Sequence, residues 1–320
     1  MICIVGALSV DLLVRKDRFI KGTSNPASIR LSPGGVGYRI YARLESPKML
    51  FTALGSDMFG KWLIETMEQP QWVNPIFLDQ YPTACYCALM QSGELLYGAA
   101  DMSVIEEGLS WPRLRARLPE LGASDFLVLD ANLSPDLVRS LIHNMGSKTR
   151  VVFESVSVEK LLRHAGLLKN LYLLSGNEGE FRALGGWFTA SGEKTDKSSA
   201  SRGGSRSDWW VRDFLEQRKI KQFLVTRGRR GVRLYRLERL SRQRTDATPR
   251  GGSPSESGGK RSFAPLTIQP KRVRETADTT GAGDRLFSSY LEALSREVAP
   301  GDALRQAVEQ VERSIEEGSL

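Results

Sequence analysis

Short apolar runs recur along the chain, separated by stretches with helical spacing of hydrophobic residues. Ile2–Val5 is the first of them. Residues 49–54 (MLFTAL), 126–129 (FLVL), 150–153, 170–174 (NLYLL) and Gln222–Thr226 (QFLVT) continue the series. A run of four to six residues with little polar alternation suits a strand covered on both faces. The intervening helical stretches, such as Pro135–Asn144 and residues 302–317, supply the cover. The pattern predicts an α/β fold, a three-layer α/β/α domain around a mostly parallel central sheet. Such sheets bind ligands at the carboxyl ends of their strands, so the loops after these runs are where chemistry is sought.

Three regions break the rhythm. Cys85-Tyr-Cys-Ala-Leu-Met90, a Ser92-Gly93 turn and Glu94-Leu-Leu-Tyr97 read as a β-hairpin. Residues 189–208 and 241–262 are rich in Ser, Gly, Lys and Arg and bury little apolar surface, which predicts two mobile insertions. Outside them, the 320 residues are read as a single domain.

Composition changes this picture only locally. The chain carries 45 Lys and Arg against 37 Asp and Glu, for a formal charge of +8. Residues 218–274 alone hold 17 basic and three acidic residues, so the rest of the chain is net acidic. A local basic block fits an anionic ligand, a nucleic-acid patch or a solvated loop. Its few aromatics, Phe223, Tyr235 and Phe263, argue against nucleic acid. Three Cys make no disulfide framework, and two distant His give no zinc spacing. No apolar run reaches the ~18 residues of a membrane span. These features predict a cytoplasmic protein.

The candidate chemistry lies in two glycine-rich turns. Asp278-Thr-Thr-Gly-Ala-Gly-Asp284 precedes an apolar helical pattern. Gly281, Ala282 and Gly283 would present free backbone N–H groups and the positive end of a helix dipole to an anion. Asp284 beside them suits a base that takes a proton from an attacking hydroxyl, although a carboxylate there also simply favours the helix N-terminus. Ser32-Pro-Gly-Gly-Val-Gly37 permits close backbone approach to a ligand, and Asp11 after the first strand suits a hydroxyl acceptor or a turn cap. Gly55-Ser-Asp-Met-Phe-Gly60-Lys61 imitates a P-loop, but Trp62 stands where the magnesium-binding hydroxyl belongs.

These residues resemble the ribokinase-like (PfkB) carbohydrate kinases, and the motifs run in the family's order over nearly the whole chain. They comprise the glycine pair Gly34-Gly35, the stretch 55–60, Asn177-Glu-Gly-Glu180, Thr226-Arg-Gly-Arg-Arg-Gly231 and the 278–284 signature. Gly22-Thr-Ser-Asn-Pro26, Ala100-Asp-Met102, Asp130-Ala-Asn-Leu133 and Phe153-Glu-Ser-Val-Ser-Val-Glu-Lys160 resemble the pseudouridine kinases of that family. The resemblance implies transfer of the ATP γ-phosphate to the 5′-hydroxyl of pseudouridine. It implies Asp284 as base with an anion hole at Gly281, Ala282 and Gly283. Asp11, Gly34, Gly35, Arg39 and Asn132 would hold the acceptor. Asn177, Thr226, Gly228 and Gly231 would serve the nucleotide, and Glu180 would hold Mg²⁺ through water. A small β-lid from about 13–31 and 74–98, pairing across a homodimer, is also implied. The family's monovalent cation has no loop assigned to it in this chain.

Two positions depart from the family pattern. Arg39 stands where relatives carry an Asn that bonds ribose hydroxyls, and Ala99 replaces another Asn. Both fall on the sugar side. They leave open a kinase of another sugar or nucleoside. A degenerate kinase fold that binds or regulates is the alternative from a different class.

Overall fold

The computed structural model describes residues 1–192, 208–239, 261–263, 265–270 and 281–317. From the N-terminus run β1 (Ile2–Val5), β2 (Ser9–Lys16), β3 (Ser28–Gly34), α1 (Val36–Arg43), β4 (Lys48–Gly55), α2 (Met58–Glu65) and β5 (Val73–Leu78). There follow β6 (Cys85–Gln91), β7 (Glu94–Asp101), the short helices α3 (Trp111–Leu114) and α4 (Leu118–Gly122), β8 (Phe126–Asp130) and α5 (Pro135–Asn144). Next come β9 (Arg150–Glu154), α6 (Val158–His164), β10 (Leu173–Asn177), α7 (Glu178–Ala190), α8 (Trp209–Arg218) and β11 (Gln222–Thr226). The chain continues through β12 (Val232–Arg239), β13 (Arg261–Phe263), β14 (Leu266–Ile268), α9 (Ala282–Ser295) and α10 (Pro300–Glu317).

The central sheet has the order β13-β12-β11-β10-β9-β8-β1-β4-β5, with β14 also paired to β12. From β5 to β11 every neighbouring pair is parallel, and β12 turns the edge antiparallel. Strand alternation feeds two cores. In β1, Cys3 and Val5 face the side covered by α5 to α8, while Ile2 and Ile4 face α1, α9 and α10. All four are fully buried, as the unbroken apolar run predicts. Among the described residues no helix is long and apolar enough to cross a membrane.

A second sheet, β3-β2-β6-β7, stands apart. Ser92 and Gly93 both take left-handed backbone (φ 49° and 87°), which gives the tight turn that the hairpin needs. Cross-strand register puts Ile29, Val14, Leu89 and Tyr97 in one row and Leu31, Leu12, Cys87 and Ala99 in the next. These rows share the face opposite Asp11, so Ala99, expected on the sugar side, points away from it because side chains alternate across the strand. Ile29 and Tyr97 are 58% and 68% exposed.

Some expected boundaries shift. Residues 74–78, expected in the lid, belong to β5, whose backbone pairs with β4 in the central sheet. The strand expected over 170–174 starts at Leu173, because Asn170 takes a left-handed φ of 56°. Of the insertion expected over 189–208, Thr189 and Ala190 close α7, and Asp208 is buried and accepts from Tyr235 Oη at 2.8 Å. Of 241–262, Arg261 and Ser262 belong to β13, paired with β12. Residues 193–207, 241–260 and the motif residues Asp278, Thr279 and Thr280 lie outside the described residues.

Candidate active site

The strand ends carry the candidate side chains. Asp130 closes β8, Glu154 closes β9, Asn177 closes β10 and Thr226 closes β11. All lie at the carboxyl edge of the parallel sheet, where loops are free to meet a ligand.

Asp130 builds the floor. Its Oδ2 accepts from the backbone N–H of Ala7 (2.7 Å) and Gly37 (3.1 Å), and its Oδ1 from Asn132 N–H (2.9 Å). One buried carboxylate thus ties the exits of β1 and β8 to the start of α1. Burial raises its pKa, against these backbone donors and the Lys160 charge. Asn132, expected at the acceptor, is only 2% exposed, and its side-chain oxygen accepts from the Lys160 ammonium. In this structure it braces the floor.

The glycine pair has separate reasons at each position. A Cβ on Gly34 would fall 2.0 Å from the Asp11 carboxylate. Gly35 caps α1 at a φ of 89°, and a Cβ there would meet the Ala7 carbonyl at 2.5 Å. The pair lets β3 turn directly into α1 while the Asp11 carboxylate packs against the turn.

Arg39 then defines the site's electrostatics. Its Nη2 lies 2.5 Å from Asp11 Oδ2, and its Nη1 lies 3.3 Å from Asp284 Oδ2. The structure therefore brings Asp11, from the second sheet, and Asp284, from the first turn of α9, to opposite arms of one guanidinium. Ser9 Oγ donates to the other oxygen of Asp11 at 3.2 Å. Gly281 caps α9 in left-handed conformation at φ 86°, so the first N–H groups of that helix have no intrahelical acceptor.

Asn177 and Glu180, expected on the nucleotide side, form a reciprocal cap of α7. Asn177 Oδ1 accepts from Gly179 N–H (2.8 Å) and Glu180 N–H (3.1 Å), while Glu180 Oε2 accepts from Asn177 N–H (2.7 Å). Ser155 Oγ also donates to Glu180 Oε2 at 2.5 Å. The motif thus has a structural role whatever else it binds. Thr226 opens the turn to β12, closed by Arg227 N–H donating to Gly231 O at 2.8 Å. Gly228 and Gly231 both have positive φ. Thr226, Gly228 and Gly231 line one wall of a cavity of about 180 Å³; Ala282 and Gly283, with Val308 and Ile315, line the other. The Thr226–Gly231 turn, expected at the nucleotide, and the start of α9 therefore share one slot.

Glu154 was not singled out from sequence, although an acid ending an apolar run was the available signal, as at Asp130. Burial pushes its carboxyl up to about 8, and the negative charges of Glu180 and Asp284 push the same way, against a hydrogen bond from Ser175. Its Oε2 is buried without a hydrogen-bond partner. Among the described residues no three His, Cys, Asp or Glu side chains converge to hold a metal directly. An orphaned carboxyl oxygen beside two other acids nevertheless fits a divalent cation held through its water shell.

Parallel strands in an α/β/α stack, a separate small sheet over their carboxyl edge and a glycine-capped helix start define a ribokinase-like fold. The ribokinase structure from Thermotoga maritima superposes with a TM-score of 0.72 at 20% identity, covering 98% of this chain and 92% of that one. An Arabidopsis thaliana ribokinase, solved with ribose and ATP, gives a TM-score of 0.70 at 17% identity, covering 98% and 92%. The chain belongs to the pfkB family of carbohydrate kinases, whose model matches residues 1–312. It is 25% identical over 206 residues to the pseudouridine kinase of Escherichia coli (62% of this chain, 65% of that protein). It is 26% identical over 194 residues to the pseudouridine kinase of Arabidopsis thaliana (57% and 49%). The matches thus span under two thirds of these relatives' lengths.

Proposed function

We propose that this chain is an ATP-dependent kinase that phosphorylates a hydroxyl of a ribose-bearing acceptor, with the 5′-hydroxyl of pseudouridine as the favoured one. The observation that carries the reading is the single-guanidinium span between Asp11 and Asp284, set beside the open N-terminus of α9. One carboxylate can accept from sugar hydroxyls while the other takes the proton of the attacking hydroxyl. The first N–H groups of α9 would stabilise charge on the phosphoryl group as it moves. The slot between Thr226, Gly231 and Ala282 would take the adenine end of ATP. Magnesium on the ATP phosphates would neutralise their charge, held through water by Glu180 and Glu154. The second sheet would close over the sugar and exclude water, which favours transfer over hydrolysis. Pairing of that sheet with a second copy accounts for its exposed apolar rows.

Arg39 favours keeping a second acceptor in view, because it fills the sugar side with a donor-only cation. The test is ADP formation with pseudouridine, uridine, ribose and fructose, for wild type and Asp284→Asn. Pseudouridine should give the highest kcat/KM, and the variant should lose about 10³-fold or more in kcat with ATP binding retained. Were no acceptor to raise ADP formation above that in water alone, the kinase reading would be wrong.

A further inference from the structure

Next to the α9 cradle stands a cation that the mechanism above leaves unused. Arg43 is the last residue of α1. Its Nη1 donates to the Arg39 carbonyl at 3.2 Å, which fixes the guanidinium against its own helix. Its Nη2 lies 3.2 Å from the point a Cβ on Gly281 would occupy. The charged end of α1 therefore rests on the residue that opens the first turn of α9.

Among the described residues no carboxylate forms an ion pair with Arg43. Burial lowers its pKa, and the positive charges of Arg285 and Arg39 lower it further, while Asp284 and the Tyr38 hydroxyl oppose them. Asp284 is already held by Arg39 at 3.3 Å. Arg39 pairs with Asp284 while Arg43 lies within electrostatic reach of the same carboxylate, and the helix start adds positive potential on the same side. A basic last turn suits the dipole of α1, but that role needs no contact with another helix's cap.

We propose that Arg43 is a catalytic residue that hydrogen-bonds the phosphoryl group during its transfer. The proposal rests on the kinase reading. The acceptor oxygen forms its bond to the γ-phosphorus and gives its proton to Asp284. The bond from that phosphorus to the β,γ-bridging oxygen breaks, and its electron pair leaves with ADP. Arg43 keeps its proton throughout and donates from Nη2 to a non-bridging oxygen, opposite the backbone donors of α9. Planar, permanently charged guanidinium suits phosphate oxygens better than an ammonium does.

The experiment compares wild type with Arg43→Ala, Arg43→Gln and Arg43→Lys, using pseudouridine and ribose as acceptors. It also measures ADP binding by calorimetry with and without fluoroaluminate, a mimic of the phosphoryl group in flight. Arg43→Ala and Arg43→Gln should lower kcat by about 10²–10³-fold. The acceptor KM and the affinity for ADP alone should stay within threefold, and the tightening by fluoroaluminate should disappear. Arg43→Lys should recover part of both losses. A kcat within threefold of wild type, or a loss confined to KM, overturns the proposal. Should Arg43→Ala fail to fold, Arg43→Gln decides by the same criteria. If wild type turns over, Asp284→Asn does not and the Arg43 variants match wild type, this proposal alone falls. If wild type transfers phosphate to no acceptor, the kinase reading falls and takes this with it.

Discussion

Arg39 occupies both carboxylates that an acceptor hydroxyl would have to reach. A hydroxyl binding at Asp11 competes with the guanidinium for the carboxylate, and displacing an N–H exchanges an ion-paired hydrogen bond for one from a neutral donor. With Asn at that position, an amide would donate and accept beside the sugar and leave Asp11 without an ion pair. Hydrogen bonds to charged groups contribute about 1.5–3 kcal/mol, so releasing one is worth roughly tenfold in affinity. We expect Arg39→Asn to lower the KM for pseudouridine by about that factor, read from initial rates at saturating ATP. A raised KM would instead mean that Arg39 itself holds the acceptor. The identity of residue 39 was legible from sequence. Its reach to Asp284, 245 positions away in the chain, was not, because register and helix placement set that distance.

The turn between β11 and β12 shows what an element contributes. Gly231 has a φ of 82°, and a Cβ there would come 2.1 Å from the Ile268 carbonyl of β14. Gly231→Ala should destabilise the fold by about 2 kcal/mol or more and weaken ATP binding, seen as a lower Tm and a higher Kd in an ATP titration. Helix α6 carries a pH dependence. The ring of His164 is fully buried between the carbonyls of Lys160 (2.8 Å) and Leu133 (3.0 Å). Burial depresses its pKa against those two bonds. The folded state therefore prefers the neutral ring. Its contribution is complete above the unfolded pKa of about 6.5 and is lost as pH falls through the depressed folded value. Denaturant midpoints should drop from pH 7 to pH 5 more steeply in wild type than in His164→Gln. At this scale the sequence was informative where one signal dominates. Apolar runs marked β1, β8, β9 and β11, and Ser92-Gly93 marked the β6–β7 turn. It was less informative where tertiary pairing decides. Nothing local in Val73–Leu78 says that it pairs with β4 rather than joining the lid. The Asn-x-x-Glu motif likewise reads as ligand chemistry until its reciprocal cap is seen.

For the whole molecule, the exposed rows of the small sheet face away from Asp11, so bound acceptor would not cover them. Edge strands with exposed Ile29, Leu31 and Tyr97 invite a partner surface. Sedimentation velocity should find a dimer at micromolar concentration, and Ile29→Asp combined with Tyr97→Asp should shift it to monomer. A wild type that sediments as a monomer would exclude pairing through this face. One further consequence follows from the two-glycine joint. β3 ends at Gly34 and α1 begins at Val36, so the covering sheet and the helix bearing both guanidiniums are nearly one continuous piece of chain. A swing of that sheet would act on α1 as a crank. On the proposed reading, engagement of a sugar and release of Asp284 to act as base would be a single stroke, and a ligand that failed to seat the cover would leave Asp284 clasped.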